Sequence, residues 1–421
     1  MPRYSPLASR LSAPSAPSGR RPRVAFVTSH PIQYQVPVFR ELAKRADLDF
    51  VVLFAMIPDA AAQGSGFGVA FEWDIPLLSG FQYRVLENVA QQPGVSHFLG
   101  CDTPSIRTVL AEEMIDVVVV NGWVVKTCLQ TLWACKRLGI PCIVRGEANN
   151  LRHRPWWKRF LQRQLVSRFD AFLPIGTANR QFYRSHGISD DRMFDAPYCV
   201  ENERFARAAL EAEPRRSELR AKWNISENAV CFLYCGKFEN KKHPLELVEA
   251  FLLAQQAVHP FATADGPPIH LLMVGDGLLR HQCEKLATRH PPRAAITFTG
   301  FLNQSEIVDA YVASDVLVMP SDAGETWGLV VNEAMACGLP AIVSDQVGCA
   351  ADLIQPDVTG WVFPFGDWEC LSELLINVSS KADQLPTMAV ACRRLIEAYS
   401  PQTAAEGINE TVNHVLVGLT R

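Results

Sequence analysis

Short apolar runs alternate with stretches of helical periodicity along almost the whole chain. Residues 23–29 (RVAFVTS) form such a run, and it leads directly into HPIQYQVPVFRELAKR, where Val36, Phe39, Leu42 and Ala43 recur at helical spacing. Further runs predict strands at 49–54, 117–120, 141–145 and 171–174, with helix-forming segments such as 125–138 between them. The alternation restarts at 230–235 and continues through 269–274, 296–298, 316–319 and 341–343. A strand covered on both faces reads as an unbroken apolar run, so the pattern predicts two α/β units, each a doubly wound parallel sheet. A final helical stretch, 400–421, carries Ile408, Val412, Val415, Leu416 and Leu419.

The most informative stretch is 314–345, SDVLVMPSDAGETWGLVVNEAMACGLPAIVSD. Its buried strand stops at Pro320 and Ser321, where a parallel sheet presents its carboxyl edge and ligands bind. A helix follows from Leu329 to Cys337, Gly338 supplies a left-handed stop, and Pro340 prevents continuation into the next strand. The helix therefore opens near Gly328. Its first N–H groups lack intrahelical partners and lie at the positive end of the macrodipole, which suits an anion such as a diphosphate. Two carboxylates bracket the opening, Glu325 in the loop and Glu333 eight positions later inside the helix. An ionised carboxylate accepts two hydrogen bonds from a diol, so the pair matches a nucleotide sugar, with sugar hydroxyls at one end, diphosphate in the middle and ribose at the other. Acidic residues also gather at helix starts for the dipole alone, and this stays the competing reading.

Pro-Ser, E-T-W-G-L and N-E-A-M-A-C-G-L-P occur here in the order found in the GT4 family of glycosyltransferases, and the E-x7-E spacing resembles that of its retaining members. The resemblance implies the GT-B fold, two Rossmann-like domains facing each other across a cleft. It also implies that Glu325 faces the sugar and Glu333 the ribose, while Thr326, Trp327, Gly328 and Leu329 pass the phosphates. The stretch 197–203 (PYCVENE) resembles the family's linker, which divides the chain into an acceptor domain at 23–200, a donor domain at 201–399, and a last helix at 400–421 returning to the first domain.

After the first strand of the second unit stands GKFENKKHP. Gly236 permits close backbone approach, and Lys237 and Lys242 are placed to hold a diphosphate and neutralise its charge as it leaves. The family usually has arginine where this chain has Lys237 and glycine where it has His243; lysine keeps the charge and loses the planar two-pronged grip. Gly275 and Gly277 resemble the family's glycine step near the nucleobase, and Thr299, Gly300 and Phe301 the segment beside the base, although a plain glycine turn reads the same way. On the acceptor side, three strand ends point to the cleft and carry His30, Gln33, Tyr34, Arg145 and Glu147 as candidates. The family's Gly-Gly pair and histidine are absent there. Arg145 and Glu147 also fit a purely loop-fastening role.

Composition narrows the classes. The chain has 421 residues, 48% hydrophobic and 20% charged, which is enough for two cores. A net charge of -4 gives no case for a nucleic-acid partner. The 12 cysteines lie mostly in apolar segments with no C-x-x-C pair, as expected in a reducing cytoplasm, and neither they nor the 10 histidines show metal-ligand spacing. The first loop lacks G-x-G-x-x-G, which argues against a dinucleotide cofactor. Residues 1–22 are basic and polar without an apolar run and are expected to be a disordered tail rather than a secretory signal. No run of about 18 apolar residues exists to span a bilayer. One segment, 151–169 (LRHRPWWKRFLQRQLVSRF), combines cations with aromatics. On a helix this suits an anionic membrane surface and a lipid-linked acceptor, or a core-packing helix with a solvated outer face.

The resemblance thus implies a metal-independent, retaining hexosyltransferase with no cofactor beyond its nucleoside diphosphate sugar. Its acceptor would be a hydroxyl of a glycan or lipid-linked saccharide, in cell-surface polysaccharide synthesis on the cytoplasmic side. A GT-B epimerase or phosphorylase, or a non-catalytic nucleotide-sugar-binding subunit, are the alternatives, because one fold hosts many reactions.

Overall fold

Two six-stranded sheets, with every recorded strand pairing parallel, organise the computed structural model. The structure describes residues 20–64, 71–258, 268–288 and 295–419; the expected tail lies outside them over residues 1–19. The first sheet contains β1 (Arg23–Thr28), β2 (Asp49–Phe54), β3 (Gln82–Val85), β4 (Val117–Asn121), β5 (Cys142–Arg145) and β6 (Ala171–Leu173), in the order β3-β2-β1-β4-β5-β6. The second contains β7 (Val230–Cys235), β8 (Ile269–Val274), β9 (Ile296–Gly300), β10 (Val316–Met319), β11 (Ala341–Ser344) and β12 (Gly360–Phe363), in the order β12-β11-β10-β7-β8-β9. The strand order reverses between β1 and β4 in one sheet and between β7 and β10 in the other. Crevices form at such reversals, at the carboxyl ends of the strands.

Each sheet is covered on both faces. Along β1, Val24 and Phe26 enter one apolar cluster while Ala25 and Val27 enter another; β7 divides in the same way between Val230 and Phe232 on one side and Cys231 and Leu233 on the other. This is why both strands read as unbroken apolar runs. β3 and β12 were not expected. Both are edge strands, and β3 is exposed along its full length, so neither carries that signature.

The helix Pro401–Leu419 packs on the first sheet, where Ala404, Ala405, Ile408 and Val412 join Phe26 and Phe39. Arg45 also pairs with Glu406 at 2.7 Å. Chain that follows the second unit thus completes the core of the first.

His270 lies buried on β8, with Nε2 3.0 Å from Thr297 Oγ1, and burial pushes its pKa down to about 4 from the usual 6.5. Below pH 6.5 the unfolded chain takes up a proton that the folded chain refuses, so the stability associated with this group is complete above that pH and declines toward pH 4. Urea midpoints measured from pH 7 to 4.5 are expected to fall for the native chain and to fall less for His270→Asn, with a difference of about 2 kcal/mol at the acid end. Parallel pH profiles would remove this cause.

Candidate active site

β7 and β10 are hydrogen-bonded neighbours, which brings the loops leaving their carboxyl ends together. The β10 loop runs to Gly328, whose φ of +103° and closeness to Met319 leave no room for a side chain; a Cβ there would lie 2.8 Å from Met319 Sδ. The helix Leu329–Cys337 starts immediately after it and ends at Gly338, also left-handed. In the loop, the Glu325 amide donates to Asp322 O at 2.9 Å and its carbonyl accepts from the Gly348 amide. The β7 loop passes Gly236 and Lys237 and makes a 3-10 turn at Asn240–Lys242. Lys242 Nζ donates to Glu325 Oε2, and both side chains are only 14% exposed. Burial lowers the Lys237 pKa, with Glu239 acting against it. A Cβ on Gly275, which has φ of +125°, would fall 2.0 Å from Gly236 O, so the β7 and β8 loops can touch only through glycine there.

Glu333 lies one turn deeper and is 1% exposed. One oxygen accepts from Tyr311 Oη at 2.6 Å and the other from Gln304 Nε2 at 3.5 Å, and Tyr34 of the first unit lies close enough to help lower its pKa. Burial raises its pKa against these donors. Gln304 is itself held by Arg204, at 2.6 Å. No local spacing pointed to Arg204, Gln304 or Tyr311; Tyr311 sits in a helix where it reads as one more core aromatic.

Thr326 and Trp327 turn their side chains toward the first unit. Thr326 Oγ1 donates to Glu147 at 2.6 Å, and Asn149 donates to the Thr326 carbonyl at 3.3 Å. Trp327 is buried over Gly176, and its Nε1 donates to Asn332 at 2.9 Å. Leu329 is partly buried at the first helical position, where its amide, like that of Val330, has no intrahelical partner.

The acceptor-side candidates separate into three groups. Arg145 is buried and donates to the carbonyls of Ala196 and Pro197 at 3.3 and 3.1 Å, with its guanidinium 4.8 Å from the Tyr198 ring centre. It fastens the chain crossing between the units. Glu147 does face the cleft; it accepts from Tyr198 Oη as well as from Thr326. His30 stays beside β1, 2.9 Å from Ser29 Oγ, and burial lowers its pKa to about 4, so it is neutral at pH 7. Gln33 adjoins Tyr34, whose pKa is raised by burial and by the nearby Glu333. Beside Glu147 a cavity of about 300 Å³ is lined by Gly122, Trp123, Glu147, Arg154, Gln162 and Thr326. Among the described residues, no three His, Cys, Asp or Glu side chains gather as a metal site.

Residues 215–394 match the family described as "Glycosyl transferases group 1". The chain is GT4-like, with the GT-B fold. It is 30% identical over 275 residues to a GDP-mannose-dependent alpha-mannosyltransferase of Mycobacterium tuberculosis, covering 63% of this chain and 64% of that one. It is 42% identical over 112 residues to sulfoquinovosyl transferase SQD2 of Arabidopsis thaliana, covering 26% of this chain and 21% of that protein. The chain thus spans less than two thirds of the length of either relative. HepE of Anabaena, solved in complex with UDP and glucose, superposes with a TM-score of 0.68 at 18% identity, covering 94% of this chain and all of HepE. That likeness supports the GT-B fold.

The Lys242–Glu325 contact is shielded enough to matter energetically. In a double-mutant cycle of Lys242→Met and Glu325→Gln read by urea unfolding, the coupling is expected at about 1–2 kcal/mol, between the values for exposed and buried pairs. Additive effects would contradict an ion pair in solution.

Proposed function

We propose that this GT4-like chain transfers a hexose from a nucleoside diphosphate sugar to a hydroxyl of a glycan or lipid-linked saccharide, with retention of configuration. The reading rests on one observation: the shielded Lys242–Glu325 pair stands at a helix mouth whose first amides are unpaired, with Glu333 one turn further in. A diphosphate at the mouth competes for Lys242 and draws it, together with Lys237, onto phosphate oxygens. This frees Glu325 to accept hydrogen bonds from the sugar. A ribose would meet Glu333 beside Tyr34.

In the reaction the bond between the anomeric carbon and the phosphate oxygen breaks, and the acceptor oxygen bonds to that carbon from the same face. The acceptor's proton passes to the departing diphosphate, whose charge the two lysines and the helix amides stabilise. Glu325 orients the sugar and is not the base. Positioning and electrostatics supply the rate, with neither a metal nor a further cofactor assigned a role. The named relatives use or bind different nucleotides, GDP-mannose in one case and UDP in the other, so the base is left open. With such an acceptor, the proposed site of action is the cytoplasmic side, at the inner face of the membrane, in the assembly of cell-surface polysaccharide.

Thermal unfolding in the presence of UDP-glucose and GDP-mannose is expected to select one donor. With that donor, Glu325→Gln should lower transfer on the order of 100-fold or more while keeping the nucleotide-induced shift. Transfer at the native rate in that variant would refute the role of Glu325. Release of free sugar or an epimerised nucleotide sugar without any acceptor would favour epimerase chemistry instead.

A further inference from the structure

The segment 151–169 carries six cations, Arg152, Arg154, Lys158, Arg159, Arg163 and Arg168, and no acidic residue, in a chain of net charge -4. Its helix, Trp156–Val166, buries only Val166. Trp156 is 81% exposed, Leu161 58% and Phe160 56%, and Trp157 is exposed too. The aromatics are therefore not core, which removes the packing alternative. The i,i+4 spacing sets Trp156 beside Phe160 and Trp157 beside Leu161, forming one apolar stripe. Arg159 and Arg163 flank the stripe on one side and Lys158 on the other. Among the described residues, none of these three cations pairs with a carboxylate.

An apolar stripe bordered by cations matches the interface of a bilayer, where rings enter the boundary of head groups and acyl chains while guanidinium and ammonium groups meet lipid phosphates. A second copy of the chain is a poor occupant, because it would set like charges against each other. The same helix also borders the substrate cleft. Gln162, on its inward side, and Arg154, just before it, line the cavity that Glu147 and Thr326 close from the cleft side.

We infer that the helix Trp156–Val166 docks on an anionic lipid surface and that the adjoining cavity receives the polar head of a lipid-linked acceptor from it. The second half of this statement rests on the glycosyl-transfer reading. Docking does not.

Sedimentation with vesicles of phosphatidylcholine, alone or mixed with phosphatidylglycerol, tests docking by itself. The native chain is expected to bind the anionic vesicles, to bind neutral ones at least tenfold more weakly, and to be released as ionic strength rises. Reversing Lys158, Arg159 and Arg163 together to glutamate should weaken binding on the order of 100-fold. Replacing Trp156, Phe160 and Leu161 by serine should weaken it about tenfold or more. Both variants should keep the native unfolding temperature and the native shift with donor nucleotide, because none of these residues touches the donor site. Native-strength binding by either variant, or equal affinity for both vesicle types, would overturn docking. So would self-association through this helix in a chain that ignores vesicles. No sugar transfer is read, so docking and glycosyl transfer can fail separately.

Discussion

The contact between Lys242 and Glu325 is the point on which the arrangement turns. Two parallel strands that are neighbours in the sheet but separated by 80 residues of chain release their loops side by side, and those loops carry opposite charges. A largely shielded ion pair is not there mainly for stability, because desolvation consumes much of its attraction. It does hold a cation ready at the positive end of a helix. In the function proposed above, an incoming anion competes for Lys242, and the carboxylate it displaces becomes an acceptor for whatever the anion carries. The glycines around the pair serve the same end: Gly275, Gly328 and Gly348 allow the β7, β8, β10 and β11 loops to approach more closely than any side chain would permit.

The two units meet through polar contacts beside an apolar seam in which Ile175 and Tyr198 pack with Trp327. Glu147 accepts from Thr326 at 2.6 Å, Asp352 accepts from Thr177 at 2.8 Å, and Tyr34 lies beside Glu333. Interfaces of this kind open more readily than apolar ones. Arg145 plays a different part, anchoring the crossing segment through the carbonyls of Ala196 and Pro197.

How much of this could be read in the sequence depended on how far each feature is local. β1, β2, β4, β7, β8, β10 and β11 are covered on both faces and appear as apolar runs; β3 and β12 lie at edges and do not. The helix mouth was legible because strand end, glycine, carboxylate and stop all fall within 32 consecutive residues. The surroundings of Glu333 were not, since Tyr34, Arg204, Gln304 and Tyr311 converge from separate elements. Thr326 and Trp327 show the limit most clearly. They adjoin Glu325 in the chain, yet their side chains turn to the opposite unit, where Thr326 meets Glu147 and Trp327 covers Gly176. The helix Trp156–Val166 was ambiguous for a related reason, because an amphipathic pattern does not say which of its faces meets the protein.

The most direct test is a crystal structure of the chain with its selected nucleoside diphosphate sugar. The account predicts the diphosphate at the amides of residues 328–330, Lys242 moved from Glu325 onto a phosphate oxygen, and the freed Glu325 carboxylate within hydrogen-bonding distance of the sugar hydroxyls. A nucleotide bound elsewhere, with Lys242 and Glu325 still joined, would contradict it.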